Sequence, residues 1–387
     1  MERVEFVYFD AGGGHRAAAT ALRSVAEKQF PWDIHLLNLQ ELLEGIDPVL
    51  KLTGLRMEDL YNWLLENGWT WGSGSGVRLL QAAIRLFHRR EVRLLEAYWR
   101  RSAPALVVSL IPHFNRALLE SLRRVNLAAP LVTVLTDLAD YPPHFWLEKQ
   151  EQFAICGSER AVEQARSVGL RPQQVYRTSG MILNPKFYEP VVRDRAAERQ
   201  RLGLEPALPT ALVMFGGHGS SAMLEITRRL EASQLNLQLI LICGHNERLA
   251  AKLRAIRGPV PTYVEGFTRE VPYYMFLSDF FIGKPGPGSI SEALAMKLPV
   301  IVERNTRTLP QERFNAEWVV SQQVGLVVRS FRRITQTVEA LLEPSAFARY
   351  RRNAAALNNR AVFEIPAILH EILAQSRSRE VEESRSG

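Results

Sequence analysis

Short runs of apolar, mostly β-branched residues recur along the chain, and stretches of helical spacing separate them. A continuous apolar run bounded by turn residues fits a strand buried on both faces, as a parallel sheet covered by helices requires. One series holds VEFVYF in part (4–9), ALVVSLI (105–111), PLVTVLTD (130–137), QFAICGS (152–158) and VYRTSG (175–180). A polar, Arg-rich stretch follows, from about Pro190 to Pro209. A second series then holds TALVMFGG (210–217), LQLILICG (237–244), TYVEGF (262–267), DFFIGK (279–284), PVIVE (299–303) and GLVVR (325–329). Each series suffices for its own doubly wound sheet. The alternation therefore predicts an α/β fold of two Rossmann-like domains facing each other across a cleft, with ligands at the carboxyl ends of the strands. The expected domains are 1–190, carrying an insertion at 47–103, and 205–360. A helix at 361–375 is expected to cross back to the first domain. Residues 376–387, scarcely apolar at all, are expected as a disordered tail.

The insertion follows a different pattern. It carries Trp63, Trp69, Trp71 and Trp99, four of the seven tryptophans, then a Gly/Ser stretch at 72–76 and VRLLQAAIRLFHRREVRLLEAYWRR at 77–101. At about 100° per residue, Leu80, Ile84, Phe87, Leu94 and Tyr98 share one side of a helix, and Arg78, Arg85, Arg89 and Arg93 share the other. Such a basic amphipathic helix fits an interfacial segment lying on anionic lipid, with Trp69, Trp71, Arg85, Arg89 and Arg93 as its contacts. A helix packed on its own domain with a solvated Arg face is the alternative.

Composition narrows the class. The 387 residues are 47% hydrophobic and 23% charged, ordinary for a globular protein with enough surface to bury two cores. Lys+Arg is 48 against Asp+Glu 41, a net +7, and nearly all the positive charge is Arg, which suits bidentate contact with phosphates and carboxylates. The sequence has no helix-turn-helix, RRM, OB or KH signature, so a nucleic-acid partner is not expected. Cys156 and Cys243 are isolated, without metal-ligand spacing, and fit buried thiols in a reducing compartment. No apolar run approaches the roughly 18 to 20 residues of a membrane span, and MERVEFVYFD reads as a strand rather than a signal peptide. The expectation is a cytoplasmic protein, soluble or peripherally attached to the cytoplasmic membrane.

Three segments carry chemistry. In FDAGGGHRAAATAL (9–22), a strand leads through glycines into a helix with His15 in its first turn, where a near-neutral imidazole suits a general base; a tight turn and a helix cap are the bland alternative. MFGGHGSS (214–221) offers Gly216, Gly217, Gly219 and Ser220 to a phosphate, and it matches neither the P-loop nor the G-x-G-x-x-G pattern. In IGKPGPGSISEAL (282–294), Lys284 ends a strand, Gly286 and Gly288 form a loop, and Ser289 with Glu292 spells S-x-x-E. That spacing is a capping box, yet a glycine loop at a helix N-terminus also suits a diphosphate, and a carboxylate one turn in suits a ribose. Gln311 and Glu312 then open another helix with groups suited to sugar hydroxyls. Together these describe a nucleotide-sugar site, and the chain has no DxD motif.

GGGHRAAA, GKPGPGSISEAL and the downstream PQE, in this order, resemble the monogalactosyldiacylglycerol synthase and diacylglycerol glucosyltransferase group, relatives of the transferase that adds N-acetylglucosamine to the peptidoglycan lipid intermediate. These are inverting GT-B enzymes. The resemblance implies a UDP-sugar donor held mainly by the C-terminal domain, a lipid acceptor held mainly by the N-terminal domain, and no cofactor or metal in the catalytic step. It implies His15 as base on the acceptor hydroxyl and Gly13 and Gly14 near the sugar and phosphates. Gly288 and Ser289 fall on the diphosphate, Glu292 on the ribose, Gln311 and Glu312 on the hexose, Phe267 where backbone meets uracil, and Asp137 as orienter or second base. Galactose is the favoured hexose, with glucose the alternative, on a diacylglycerol-type acceptor at an anionic membrane surface. A nucleotide-sugar 2-epimerase, N-acetylglucosaminyl transfer to a polyprenyl-linked lipid, and a non-catalytic sugar-nucleotide binder are the rival readings.

Overall fold

A computed structural model describes residues 1–10, 13–44, 73–125, 127–306 and 308–386, and their side chains except over 73–86 and 379–386. Trp63, Trp69 and Trp71, and the side chain of Arg85, therefore lie outside the described residues. The described chain divides into two compact units, one of residues 1–44, 73–185 and 360–386, the other Lys186–Asn359.

In the first unit, strands β1 (Glu2–Tyr8), β2 (Trp32–Asn38), β3 (Leu106–Ser109), β4 (Leu131–Val134), β5 (Phe153–Cys156) and β6 (Val175–Arg177) form one parallel sheet in the order β2-β1-β3-β4-β5-β6. Side chains alternate between its faces, so the core has two layers. Val4 and Phe6 pack with Leu106, Val108, Val132 and Ile155 under the helices Gly14–Gln29 and Ala361–Ser386. Val7, Val107 and Leu131 face the helices Ser73–Ser102 and Asn115–Arg124.

Three expectations change. Strand β2 had no counterpart in the pattern: WDIHLLN is an edge strand paired only with β1, and its interrupted burial dilutes the apolar signal. Residues 376–386, expected as a disordered tail, continue the C-terminal helix, and Arg377 forms an ion pair with Glu2 of β1. The helix over 73–102 is also turned relative to its expected phase. Its covered face is Glu91, Val92, Leu95, Trp99 and Ser102, while Phe87, Leu94 and Tyr98 are only half-buried on its flank. Trp99 is a core residue, fully enclosed with its indole N–H donating to Ser121 Oγ at 2.8 Å, and not a lipid contact. Arg89 and Arg93 are exposed, as the wheel predicts.

The second unit holds β7 (Thr210–Met214), β8 (Gln238–Ile242), β9 (Thr262–Glu265), β10 (Phe280–Gly283), β11 (Val300–Glu303) and β12 (Gly325–Val328), all parallel, in the order β12-β11-β10-β7-β8-β9. At the amino edge Asp279 pairs with Arg195 and Arg199, each at 2.8 Å, and accepts the Thr210 N–H at 2.9 Å, which ties the helix Arg195–Arg201 under β7 and β10. The carboxyl edges are left for ligands. Strand order reverses between β1 and β3 in one sheet and between β7 and β10 in the other, the switch points at which open α/β sheets bind.

Candidate active site

At the first switch point, Gly13 adopts φ +72, a left-handed conformation that spares a glycine the Cβ clash, and turns the chain from β1 into the helix Gly14–Gln29. Among the described residues, and leaving aside their chain neighbours, no atom lies within 4 Å of where a side chain on Gly13 or Gly14 would stand. His15 follows. Its Nδ1 is 3.1 Å from Thr136 Oγ1, beyond the end of β4, and its ring lies 5.8 Å from the Trp146 ring. Enclosure disfavours the charged imidazolium and presses the His15 pKa down to about 4, outweighing a hydrogen bond with the Leu110 backbone at the end of β3 that acts the other way. The ring is therefore neutral at pH 7, the state a general base needs.

Asp137 is buried and accepts the Trp146 indole N–H at 2.9 Å. It thus fixes the aromatic wall beside His15, while the hydroxyl on His15 Nδ1 belongs to its neighbour, Thr136. Asp140 accepts the Trp146 and His144 amides at 2.6 and 3.1 Å and folds the 137–147 loop around that indole. Thr136, Asp140 and Trp146 were not singled out by the sequence pattern. Replacing Thr136 with valine keeps the shape and removes the hydroxyl. Turnover should fall about tenfold with the donor Michaelis constant unchanged, a split that steady-state kinetics reads directly.

At the second switch point the two glycine loops meet around one lysine. Lys284 Cε lies 4.0 Å from where a Cβ on Gly216 would stand and 3.5 Å from the same point on Gly286. Its Nζ pairs with Glu312 Oε1 at 3.1 Å. Gly244 braces the first loop. A Cβ there would stand 2.0 Å from the Gly217 carbonyl, and the next residue, His245, donates its amide to that same carbonyl at 2.8 Å. Ser220 Oγ accepts the Ala222 amide at 3.2 Å, at the start of the helix Ala222–Glu231, so part of its hydrogen-bonding capacity serves the fold.

The S-x-x-E segment is not a capping box here. The helix Pro287–Ala295 starts at Pro287 with Gly286 as its N-cap and no side-chain cap, because proline favours the first helical position. Ser289 therefore sits inside the first turn, and Glu292 is not engaged in capping. The amides of Gly288 and Ser289 belong to the first turn, where the helix itself offers them no acceptor, and among the described residues nothing lies within 4 Å of a side-chain position on Gly288. Glu292 has its carboxyl pKa pushed up to about 7 by desolvation alone. In the helix Pro310–Ser321, Glu312 is buried and Gln311 Oε1 is buried without a hydrogen-bond partner, an acceptor suited to a sugar hydroxyl. Asn315 donates to the Pro285 carbonyl at 2.8 Å and locks this helix to the loop.

Phe267 lies past β9, next to the residue that braces the first glycine loop. It is 53% exposed and stacks on His245 with centroids 4.0 Å apart. From β10 through β7 and β8 to β9 the carboxyl edge runs roughly 14 Å at the usual strand spacing, with the Lys284 loop at one end and an aromatic platform at the other. His245 belongs to that platform and was missed by the sequence pattern, since its stacking partner is distant in sequence.

The glycosyltransferase family 28 C-terminal domain matches residues 210–368. The chain is 31% identical to the chloroplastic monogalactosyldiacylglycerol synthase of Spinacia oleracea, over 97% of this chain and 73% of that one. Monogalactosyldiacylglycerol synthase 1 of Arabidopsis thaliana is 30% identical over 97% and 72%. The chain belongs to the monogalactosyldiacylglycerol synthase family. Among solved structures, MurG of Acinetobacter baumannii superposes with a TM-score of 0.63 at 12% identity, covering 96% of this chain and all of that one. The S. aureus MnaA–UDP co-structure gives 0.61 at 14%, covering 96% of each. Identities this low speak for the fold alone, which is GT-B as expected. As a member of the monogalactosyldiacylglycerol synthase family, the chain is a glycosyltransferase.

Proposed function

We propose that the enzyme transfers galactose from UDP-galactose to the free hydroxyl of a diacylglycerol, with inversion, at an anionic membrane surface. The observation that carries this reading is the relationship over 97% of the chain to enzymes named for that product. The geometry supports it. Neutral His15 takes the proton of the acceptor hydroxyl as its oxygen bonds to the anomeric carbon, and the bond from that carbon to the UDP oxygen breaks. The departing diphosphate is stabilised by the Gly288 and Ser289 amides at a helix N-terminus and by Lys284, with Gly216 and Gly217 behind it. Glu292 takes the ribose hydroxyls, and Gln311 and Glu312 take those of the hexose. No step in this scheme calls on a metal or cofactor. The 2-epimerase reading rests on a fold shared at 14% identity and on nothing more.

Membrane attachment is read from the helix Ser73–Ser102. Arg89, Arg93 and Arg100 share one exposed face, and none of them forms an ion pair among the described residues. Also among the described residues, no helix is long and apolar enough to cross a membrane. A basic face without counter-ions fits acidic headgroups and a peripheral position on the cytoplasmic membrane. The test supplies UDP-galactose, UDP-glucose and UDP-N-acetylglucosamine to the enzyme with diacylglycerol in phosphatidylglycerol-containing vesicles. The expected product is a β-galactosyl diacylglycerol. Preferred transfer of another sugar, or sugar epimerisation without lipid, overturns the reading. Reversing Arg89 and Arg93 to glutamate should weaken binding to those vesicles by about thirtyfold or more and leave neutral vesicles unaffected.

A further inference from the structure

Lys284 forms an ion pair with Glu312. Their side chains meet at 3.1 Å, that of Glu312 only 11% exposed and that of Lys284 41% exposed. The lysine stem lies against both glycine loops, 4.0 Å from the side-chain position of Gly216 and 3.5 Å from that of Gly286, and Glu312 Oε1 is 3.7 Å from the latter. The ammonium that would serve a diphosphate and the carboxylate that would serve a hexose are thus already each other's partner. A diphosphate entering these loops brings its charge close to a buried carboxylate, which repels it. It must also draw Lys284 away from that carboxylate.

We propose that Lys284 is exchanged between Glu312 and the donor diphosphate, and that this exchange makes donor binding conditional on the sugar. The inference rests on the donor reading given above. With a UDP-hexose, the phosphates take Lys284 and the freed Glu312 accepts hydrogen bonds from sugar hydroxyls, so both charged groups keep a partner. With UDP alone, Glu312 loses its lysine and gains no hydroxyl. A buried carboxylate without a partner is costly, so Glu312 competes to take Lys284 back. The pair therefore favours intact donor over product and helps expel UDP once the hexose has left. Glu312 then has two tasks, holding the sugar in the donor complex and opposing UDP afterwards.

This assigns a sign that a simple binding residue would not give. Removing the charge of Glu312 should strengthen UDP binding while it weakens use of the sugar nucleotide. The experiment measures UDP affinity by titration calorimetry, and UDP product inhibition with UDP-galactose as donor, for wild type, Glu312→Gln and Glu312→Ala. UDP should bind both variants about tenfold more tightly than wild type and inhibit them more strongly, while kcat/KM for UDP-galactose falls. Thermal melts identify folded variants, and the alanine variant provides the same sign should the glutamine variant fail to fold. Equal or weaker UDP binding by the folded variants overturns the exchange. Absence of UDP binding by wild type overturns the donor reading itself, a different result.

Discussion

Replacing His15 with alanine should lower turnover about a thousandfold and leave the Michaelis constant for the sugar nucleotide within about threefold of wild type. In the proposed scheme the base acts on the acceptor hydroxyl, whereas the groups assigned to the donor belong to the other unit. The pH dependence has a sign fixed by the enclosure of the ring. Burial disfavours the imidazolium, so His15 stays neutral down to about pH 4 and loses its function only below that. Turnover should therefore show no fall due to His15 between pH 8 and about pH 5. A loss centred near pH 6.5, the ordinary histidine value, would show instead that the ring works in solvent. An alanine variant with full turnover removes His15 from the chemistry.

Replacing Glu292 with glutamine should cost about a hundredfold in kcat/KM for the donor, the scale of hydrogen bonds from two hydroxyls to a charged acceptor. Its pH signature has the usual direction of a carboxylate but a midpoint displaced upward. Desolvation raises the Glu292 pKa to about 7, so the acceptor form is lost on acidification already near neutrality. The Michaelis constant for UDP-galactose should fall as pH rises through 7 in wild type, and should be flat across that range in Glu292→Gln. Bound ribose hydroxyls favour the ionised form, so the midpoint in the donor complex moves below that of the free enzyme. A pH-independent wild-type Michaelis constant contradicts the assignment.

Two kinds of information were legible in the sequence. Strands buried on both faces, such as Leu131–Val134 and Gln238–Ile242, announce themselves because all but one position in each is apolar. Glycine loops followed by helices announce themselves because backbone must approach a ligand there. What was hidden depends on direction in space. Thr136 and Asp137 are adjacent in the bend that follows β4, and their side chains find different partners. Nothing in the sequence selects which of them meets His15 and which holds Trp146. The S-x-x-E spacing suited a cap equally well until Pro287 took the first helical position and moved the helix start upstream of Ser289. The phase of the helix Ser73–Ser102 was misread because its core side includes Glu91 and Ser102 and its flank includes Phe87, Leu94 and Tyr98. A wheel that sorts residues by polarity turns such a helix toward its flank.

The chain enters and leaves its second unit beside one spot of the first. Ser179 Oγ accepts the Arg360 amide at 2.6 Å, and Ser179 gives its own amide and hydroxyl to the Glu364 carboxylate at 2.8 and 2.7 Å. Lys186–Asn359 is thus a cassette whose two ends are stapled together by its host. Such a cassette can be exchanged as one contiguous gene segment without cutting the sheet of the first unit. Within this family, the second unit can then diversify by recombination while the first is inherited whole.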